Sequence, residues 1–301
     1  MTGRPAASSA LIGAGWMLVA VITMCGISIC ARALARDMSA AEILFFRSVV
    51  GVAVLLPWLA RAGWRGLATR KPGQHVLRAL VGGAAMLCWF ASLATLPIGD
   101  AIAIQFTLPL FLVIFAALIL RESVDVQRWL AVAVGFLGAL VIIRPGFAQV
   151  DTAVFLVLAS AAFYAGNHTL TKSMSATESG GAVAFYMNLF QLPVAGAIAI
   201  FYWRTPEWHH VAWILGLGVC GSFAHVFLTR AFAAADASAL APLDFLRLPV
   251  VAALGWWLFG DVSDRWTWSG AVIVFAAGYA ITRRENALAR QRAAERRSAP
   301  A

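Results

Sequence analysis

Asp244 and Arg247 stand seven and ten residues into an apolar run from Ala237 to Gly260. At about 1.5 Å of rise per residue they lie roughly 10 to 15 Å deep in a helix, beyond easy snorkelling to either surface. A charge at the bilayer centre costs at least about 2.5 to 3.5 kcal/mol on insertion scales, so an ionisable group there is a functional candidate by default. Their i, i+3 spacing puts the two on one helical face, where they can pair with each other. A static internal salt bridge that merely permits insertion is the competing account. Pro242 and Pro249 bracket the pair and interrupt helical hydrogen bonding, as happens where a broken helix lines a cavity. At an offset of 139 residues Asp244 meets Gln105, also polar and also shortly before a proline, Pro109.

Arg47 follows Phe45-Phe46 in another apolar run. It reaches the outer headgroups, pairs with Glu42, or points inward, where its planar fork suits a carboxylate or phosphate. Tyr164, Asn167 and His168 interrupt one run, Asn188 and Gln191 the next, and His225 sits near the middle of a third. Each alone reads more readily as hydrogen-bond glue between helices, but together they could supply the few polar contacts of a mostly apolar pocket. Trp89, Phe46 and Tyr186 are candidate aromatic walls, with simple packing as the alternative. Arg230 is read as snorkelling and the adjacent His209-His210 as an exposed loop pair.

The chain that must position these groups has 301 residues, 61% hydrophobic and only 12% charged. Soluble domains carry about 25% charged residues, so this chain cannot build a water-facing surface all round. The reading is an all-α integral membrane protein of ten transmembrane helices: Ala10 to Ala31, Glu42 to Ala60, Val76 to Leu96, Ile98 to Leu120, Arg128 to Ile143, Thr152 to Thr171, Gly181 to Trp203, Val211 to Ala234, Ala237 to Gly260 and Trp266 to Thr282. Each run approaches the 20 or so apolar residues that a span requires. Ala31-Arg32-Ala33 resembles a cleavage site, but the run before it is too long for a typical signal peptide and is read as a permanent helix.

The net charge of +9 sets topology rather than marking a nucleic-acid partner. With the N-terminus inside, 15 basic residues fall on the cytoplasmic side and 5 outside, which places both termini in the cytoplasm of a bacterial inner-membrane protein. The four cysteines lack paired or ligand-like spacing, so neither a disulfide nor a metal site is expected, and no cofactor is. No G-x-S-x-G, H-E-x-x-H or phosphate-loop motif is present, so no catalytic residue is assigned; a membrane-embedded enzyme or sensor stays the alternative class.

The sequence repeats itself at an offset near 140. Gly26 meets Gly166, Arg32 meets Lys172, Phe45 meets Phe185 and Phe46 meets Tyr186; at slightly shorter offsets Asp100 meets Asp236, Glu122 meets Asp261, Asp125 meets Asp264, Trp129 meets Trp268 and Arg144 meets Arg283. These matches are collinear and pair span n with span n+5. Five is odd, so the second copy enters the membrane the other way up, giving two inverted five-helix repeats over 10–144 and 152–283, flanked by a short N-terminal segment, 1–9, and a basic tail, 284–301.

The repeated unit resembles the EamA-like family of the drug/metabolite transporter superfamily. The resemblance rests on Asp100-Ala-Ile-Ala-Ile-Gln-Phe-Thr-Leu-Pro109, on Leu120-Arg-Glu122, on Ile143-Arg-Pro145, and on their echo from Ala235-Asp236-Ala237 through Ala241-Pro242-Leu243-Asp244-Phe245 to Gly260-Asp261. It covers about residues 10 to 284, and Asp261 stands where the family often has Glu. It implies a carrier with a central cavity, moving a small organic solute such as an amino acid, a vitamin or another zwitterionic or anionic metabolite. The expected partners are that substrate, the lipid bilayer and a coupling proton, with the carrier a monomer or homodimer.

Overall fold

The computed structural model describes residues 6–63, 67–69, 71–119, 124–145, 151–174, 180–235 and 237–298, and the described part is all helix. The helices are α1 (Ala6–Leu34), α2 (Ala40–Ala62), α3 (Pro72–Ser92), α4 (Ile98–Gln105), α5 (Leu108–Leu118), α6 (Val126–Ile143), α7 (Thr152–Met174), α8 (Gly180–Ala199), α9 (Trp208–Ala234), α10 (Ala237–Asp244), α11 (Arg247–Phe259) and α12 (Arg265–Ser298). Local signals set several ends. Ser39 and Glu42 form a reciprocal capping box at the start of α2, and the Asp125 carboxylate accepts a hydrogen bond from the Arg128 backbone N–H at the start of α6. Gly260, at φ 73°, closes α11 in the left-handed region that a side chain would disfavour.

Nine stretches among the described residues are long and apolar enough to cross a membrane, with α4 and α5 forming one of them and α10 and α11 sharing another. The run expected as a tenth span, Trp266 to Thr282, lies in the first part of α12, where Thr267, Ser269, Tyr279 and Thr282 keep the hydropathy below that of the nine. The segment after 283, expected as a separate tail, continues α12 as helix to Ser298.

Two interruptions occur inside spans. Pro109 and Pro249 lack an N–H, and each ring obstructs the carbonyl four residues earlier, that of Gln105 or Phe245. The helix breaks at Phe106–Thr107 in the first case and at Phe245–Leu246 in the second. Tighter i→i+3 bonds bridge both gaps, Thr107 N–H to Ile104 O at 2.9 Å and Leu248 N–H to Phe245 O at 3.0 Å.

The helices pack in pairs: α1 on α9, α3 on α7, α2 on α8, α6 on α12 and α11 on α4. The α6–α12 pair is antiparallel, since Asp125 and Arg128 before and within the first turn of α6 bond Arg284 and Glu285, while Arg144 at its end bonds Asp264. Arg32, at the end of α1, bonds Asp261 just before α12. The start of α1 and the later part of α12 therefore share one end of the bundle, called here the near end; Arg32 and Asp261 mark the far end.

The core runs along α1, with Met17, Val21, Cys25, Ile29 and Leu34 buried. Large aliphatic side chains such as Leu11, Ile22, Leu130, Leu137 and Ile198 point outward, which suits a lipid-facing surface. Six exposed tryptophans, Trp203, Trp208, Trp256, Trp257, Trp266 and Trp268, gather at the far end, where amphipathic rings favour a headgroup layer.

Candidate functional site

The two helix interruptions meet each other. Phe106 and Phe245 have ring centroids 5.6 Å apart, and the Arg247 guanidinium lies 5.1 Å from the Phe106 centroid, in cation–π range. Phe245 packs in turn on Phe275 of α12, at 4.3 Å. Cys25 of α1 closes the other side, its Sγ 4.0 Å from the Arg247 carbonyl, and Met24 Sδ is 3.8 Å from Arg247 Nη1.

Polar atoms around this crossing lack hydrogen-bond partners. Gln105 Oε1, Thr107 Oγ1 and Arg247 Nε are all buried and unpaired. Asp244 and Arg247 do not form the expected ion pair, because the interruption at Phe245–Leu246 ends α10 on one residue and begins α11 on the other, so the i, i+3 geometry of a continuous helix is lost. Arg247 thus spends its charge on a π face and a thioether, both weak substitutes for an anion.

Arg47 points inward. It reaches across α2 to α9, where a Cβ on Gly221 would sit 3.3 Å from its Nε, and its Nη1 is buried without a partner. The expected alternative, pairing with Glu42, does not occur, since Glu42 is committed to its capping box and to the Arg204 backbone N–H. The Tyr164 hydroxyl is within electrostatic reach of both Arg47 and Arg247. His168, one turn along the same face of α7, is exposed and near the charge of Arg78. Ser48 and Ser160, beside Arg47 and one turn before Tyr164, are fully buried with unpaired hydroxyls.

The remaining candidates lie elsewhere or act as glue. Asn167 packs against Gly82 of α3 and accepts a hydrogen bond from Thr171. Asn188 donates to the Ala184 carbonyl at 2.9 Å and packs on Gly51 of α2. Gln191 donates to the Ala79 carbonyl beside a recess of about 150 Å³ between α2, α3 and α8. Tyr186 is not a wall of the centre: its hydroxyl donates to the Leu67 carbonyl at 2.7 Å, and its ring stacks on Phe190 and meets His75 at a tilt. Trp89 is core packing, and Phe46 packs with Phe45 and Trp203 towards the far end. The side chain of His225 lies outside the described residues.

Sequence reasoning missed Phe106, Thr107 and Phe245. A signal was present, because the 139-residue offset that pairs Gln105 with Asp244 also pairs Phe106 with Phe245.

Residues 11–144 and again 151–283 match the sequence profile of the EamA-like transporter family. An S-adenosylmethionine uptake transporter of Rickettsia prowazekii is 32% identical over 267 residues, 89% of this chain and 91% of that protein. A riboflavin transporter of Rhizobium johnstonii is 31% identical over 281 residues, 92% of this chain and 93% of its own length. A pseudopaline exporter of Pseudomonas aeruginosa is 30% identical over 254 residues, 82% of this chain and 87% of the exporter. A protein of known crystal structure shares the fold, with a TM-score of 0.60 at 18% identity over 95% of this chain and 98% of the other.

Proposed function

Since the chain belongs to the EamA-like transporter family and is a multi-pass membrane transporter rather than an enzyme, we propose that it moves a small zwitterionic or anionic metabolite across a bacterial inner membrane by alternating access. The observation that carries this reading is the meeting of two broken helices around polar atoms that have no partner among the described residues. In lipid, irregular backbone is tolerated where it is buried in protein or lines a cavity, and a buried group without a partner is costly unless a ligand completes it.

The carrier is read as ten spans in two inverted halves. Two features support this: the family profile matches twice, and exchanging span n for span n+5 preserves the four most extensive helix pairs. The α1–α9 pair becomes α7–α3, and α2–α8 and α6–α12 map onto themselves, while α4–α11 is the exception, since its counterpart α10–α5 is at most a weak contact. Alternating access then opens the crossing of α4 and α11 first to one end and then to the other. The far end is external under this reading, with both termini cytoplasmic. A coupling proton remains a candidate partner, and the carrier acts as a monomer or homodimer.

The substrate's acidic group is met by Arg47 and Arg247, with Tyr164 within electrostatic reach of both. Uptake into proteoliposomes of S-adenosylmethionine, riboflavin and a set of free amino acids tests the reading, alongside thermal stabilisation of the purified protein by the same compounds. Saturable uptake of at least one, lost in Arg247→Met but kept in Arg230→Gln, is the expected result. Uptake that survives in Arg247→Met would move the site away from the crossing.

A further inference from the structure

Directly over the crossing, the far end is sealed by one buried ion pair that joins three segments. Arg32 Nε and Nη2 reach the two carboxylate oxygens of Asp261 at 3.0 and 2.7 Å, and both side chains are only 9% exposed. Arg32 Nη1 also donates to the Leu93 carbonyl, while Asp261 Oδ2 accepts from the Ile98 N–H at 3.1 Å. The end of α1, the α3–α4 connection and the α11–α12 connection are thereby tied at one point. The bond set is bidentate and desolvated, the geometry in which an arginine–carboxylate pair is strongest.

The start of α4 also packs tightly against the end of α11 and the connection after it. A Cβ on Gly255 would sit 2.5 Å from Ile98 Cγ2, and one on Gly99 would overlap the Ser263 hydroxyl. These are the two helices whose interruptions form the site, so parting the start of α4 from the end of α11 would open a path from the crossing towards the far end. Among the other far-end polar contacts, Asp100 of α4 with Ser263 and Thr267 also crosses that seam, and Arg36 with the Phe259 carbonyl ties the α1–α2 connection to the end of α11 without reaching α4; the rest lie away from it. Glu42 with Arg204, and Asp37 with His210, join the α1–α2 connection to the α8–α9 connection. Arg144 with Asp264 joins α6 to α12.

We infer that Arg32 and Asp261 form the latch of the outer gate: intact it holds the carrier closed towards the far end, and it must break for the site to open there. The inference rests on the carrier reading above and names what controls access to that same site. Breaking the latch removes a bond set made in only one of the two states and so shifts their populations towards the open one.

Cys25 is a built-in reporter, since it is 3% exposed and lies against Arg247 at the crossing. In a variant keeping Cys25 with Cys30→Ala, Cys88→Ala and Cys220→Ala, a charged, membrane-impermeant methanethiosulfonate is added to intact cells. Asp261→Asn is expected to raise the labelling rate of Cys25 by about tenfold or more, the change produced by a population shift of about 1.4 kcal/mol. Asp261→Glu should restore slow labelling, and Asp264→Asn, which breaks a pair at the same end away from the seam, should leave it slow. Arg32→Gln serves as a second route to the broken latch. Unchanged labelling in a folded Asp261→Asn or Arg32→Gln protein overturns the latch, as does equal acceleration in Asp264→Asn. If neither variant folds, the pair is a structural staple and the latch is rejected. Labelling requires no substrate, so a failed uptake screen leaves this result readable, while uptake with unchanged labelling would sink the latch and spare the carrier.

Discussion

Replacing Arg247 with methionine should stabilise the empty protein and abolish transport. A guanidinium near the bilayer centre costs about 2.5 to 3.5 kcal/mol on insertion scales. In this structure the charge meets no carboxylate; its compensation is the Phe106 face at 5.1 Å and Met24 Sδ at 3.8 Å, with Nε unpaired. A desolvated cation–π contact returns about 0.5 to 2 kcal/mol, leaving a net cost of about 1.5 kcal/mol. Methionine matches the length of the aliphatic stem, fills an irregular gap and brings no polar atom to satisfy. At about 2 °C per kcal/mol for a chain of this size, the melting temperature in detergent should rise by about 3 °C. Substrate binding, read on the same sample by thermal stabilisation, should disappear. Loss of function with gain of stability marks a group held in an uncomfortable place for its ligand. A melting temperature that falls by several degrees would refute the reasoning, because it would mean that Arg247 has a strong partner in the empty protein. Unaltered binding would refute its role at the site.

Gly270→Ala should destabilise by about 1 to 3 kcal/mol, since its Cβ would lie 2.6 Å from the Gly138 carbonyl oxygen and force α12 off α6, whereas Gly15→Ala, with open space around it, should be neutral; thermal melts of both check this. Tyr186→Phe should cost about 1 kcal/mol for its bond to the Leu67 carbonyl and leave uptake intact, and lost uptake would return Tyr186 to the site. The Arg284 guanidinium bonded to Asp125 holds that carboxyl below the usual carboxylate range, so its stabilisation is present above about pH 4 and is lost as pH falls through the lowered folded value. The melting temperatures of the unmodified protein and Arg284→Gln should therefore differ by a constant amount between pH 5 and 8 and converge only in stronger acid. A reporter fused after Arg297 should behave as cytoplasmic and one in the loop at 205–207 as external, in line with the distribution of basic residues.

Membrane embedding, helical class and transporter family were legible in the chain itself. Long apolar runs can satisfy their backbone in lipid only as helices, and that constraint is local. The helix breaks were only partly legible: Pro249 does interrupt its span, but Pro242, expected to do the same, lies inside α10, as Pro57 and Pro193 lie inside α2 and α8, so a proline alone does not fix where a helix breaks. The site was only half legible. Arg247, Arg47 and Gln105 stood out as polar groups in apolar surroundings, but which side chains face one another depends on how α1, α4, α7, α10 and α11 come together. Packing alone seated Phe106 against Phe245, withdrew Arg47 from Glu42 and sent Tyr186 to the α2–α3 connection. The expected Asp244–Arg247 pair failed for a related reason, because spacing predicts pairing only along an unbroken helix. The Arg32–Asp261 bond joins residues 229 positions apart, and no local rule of sequence reaches across that distance.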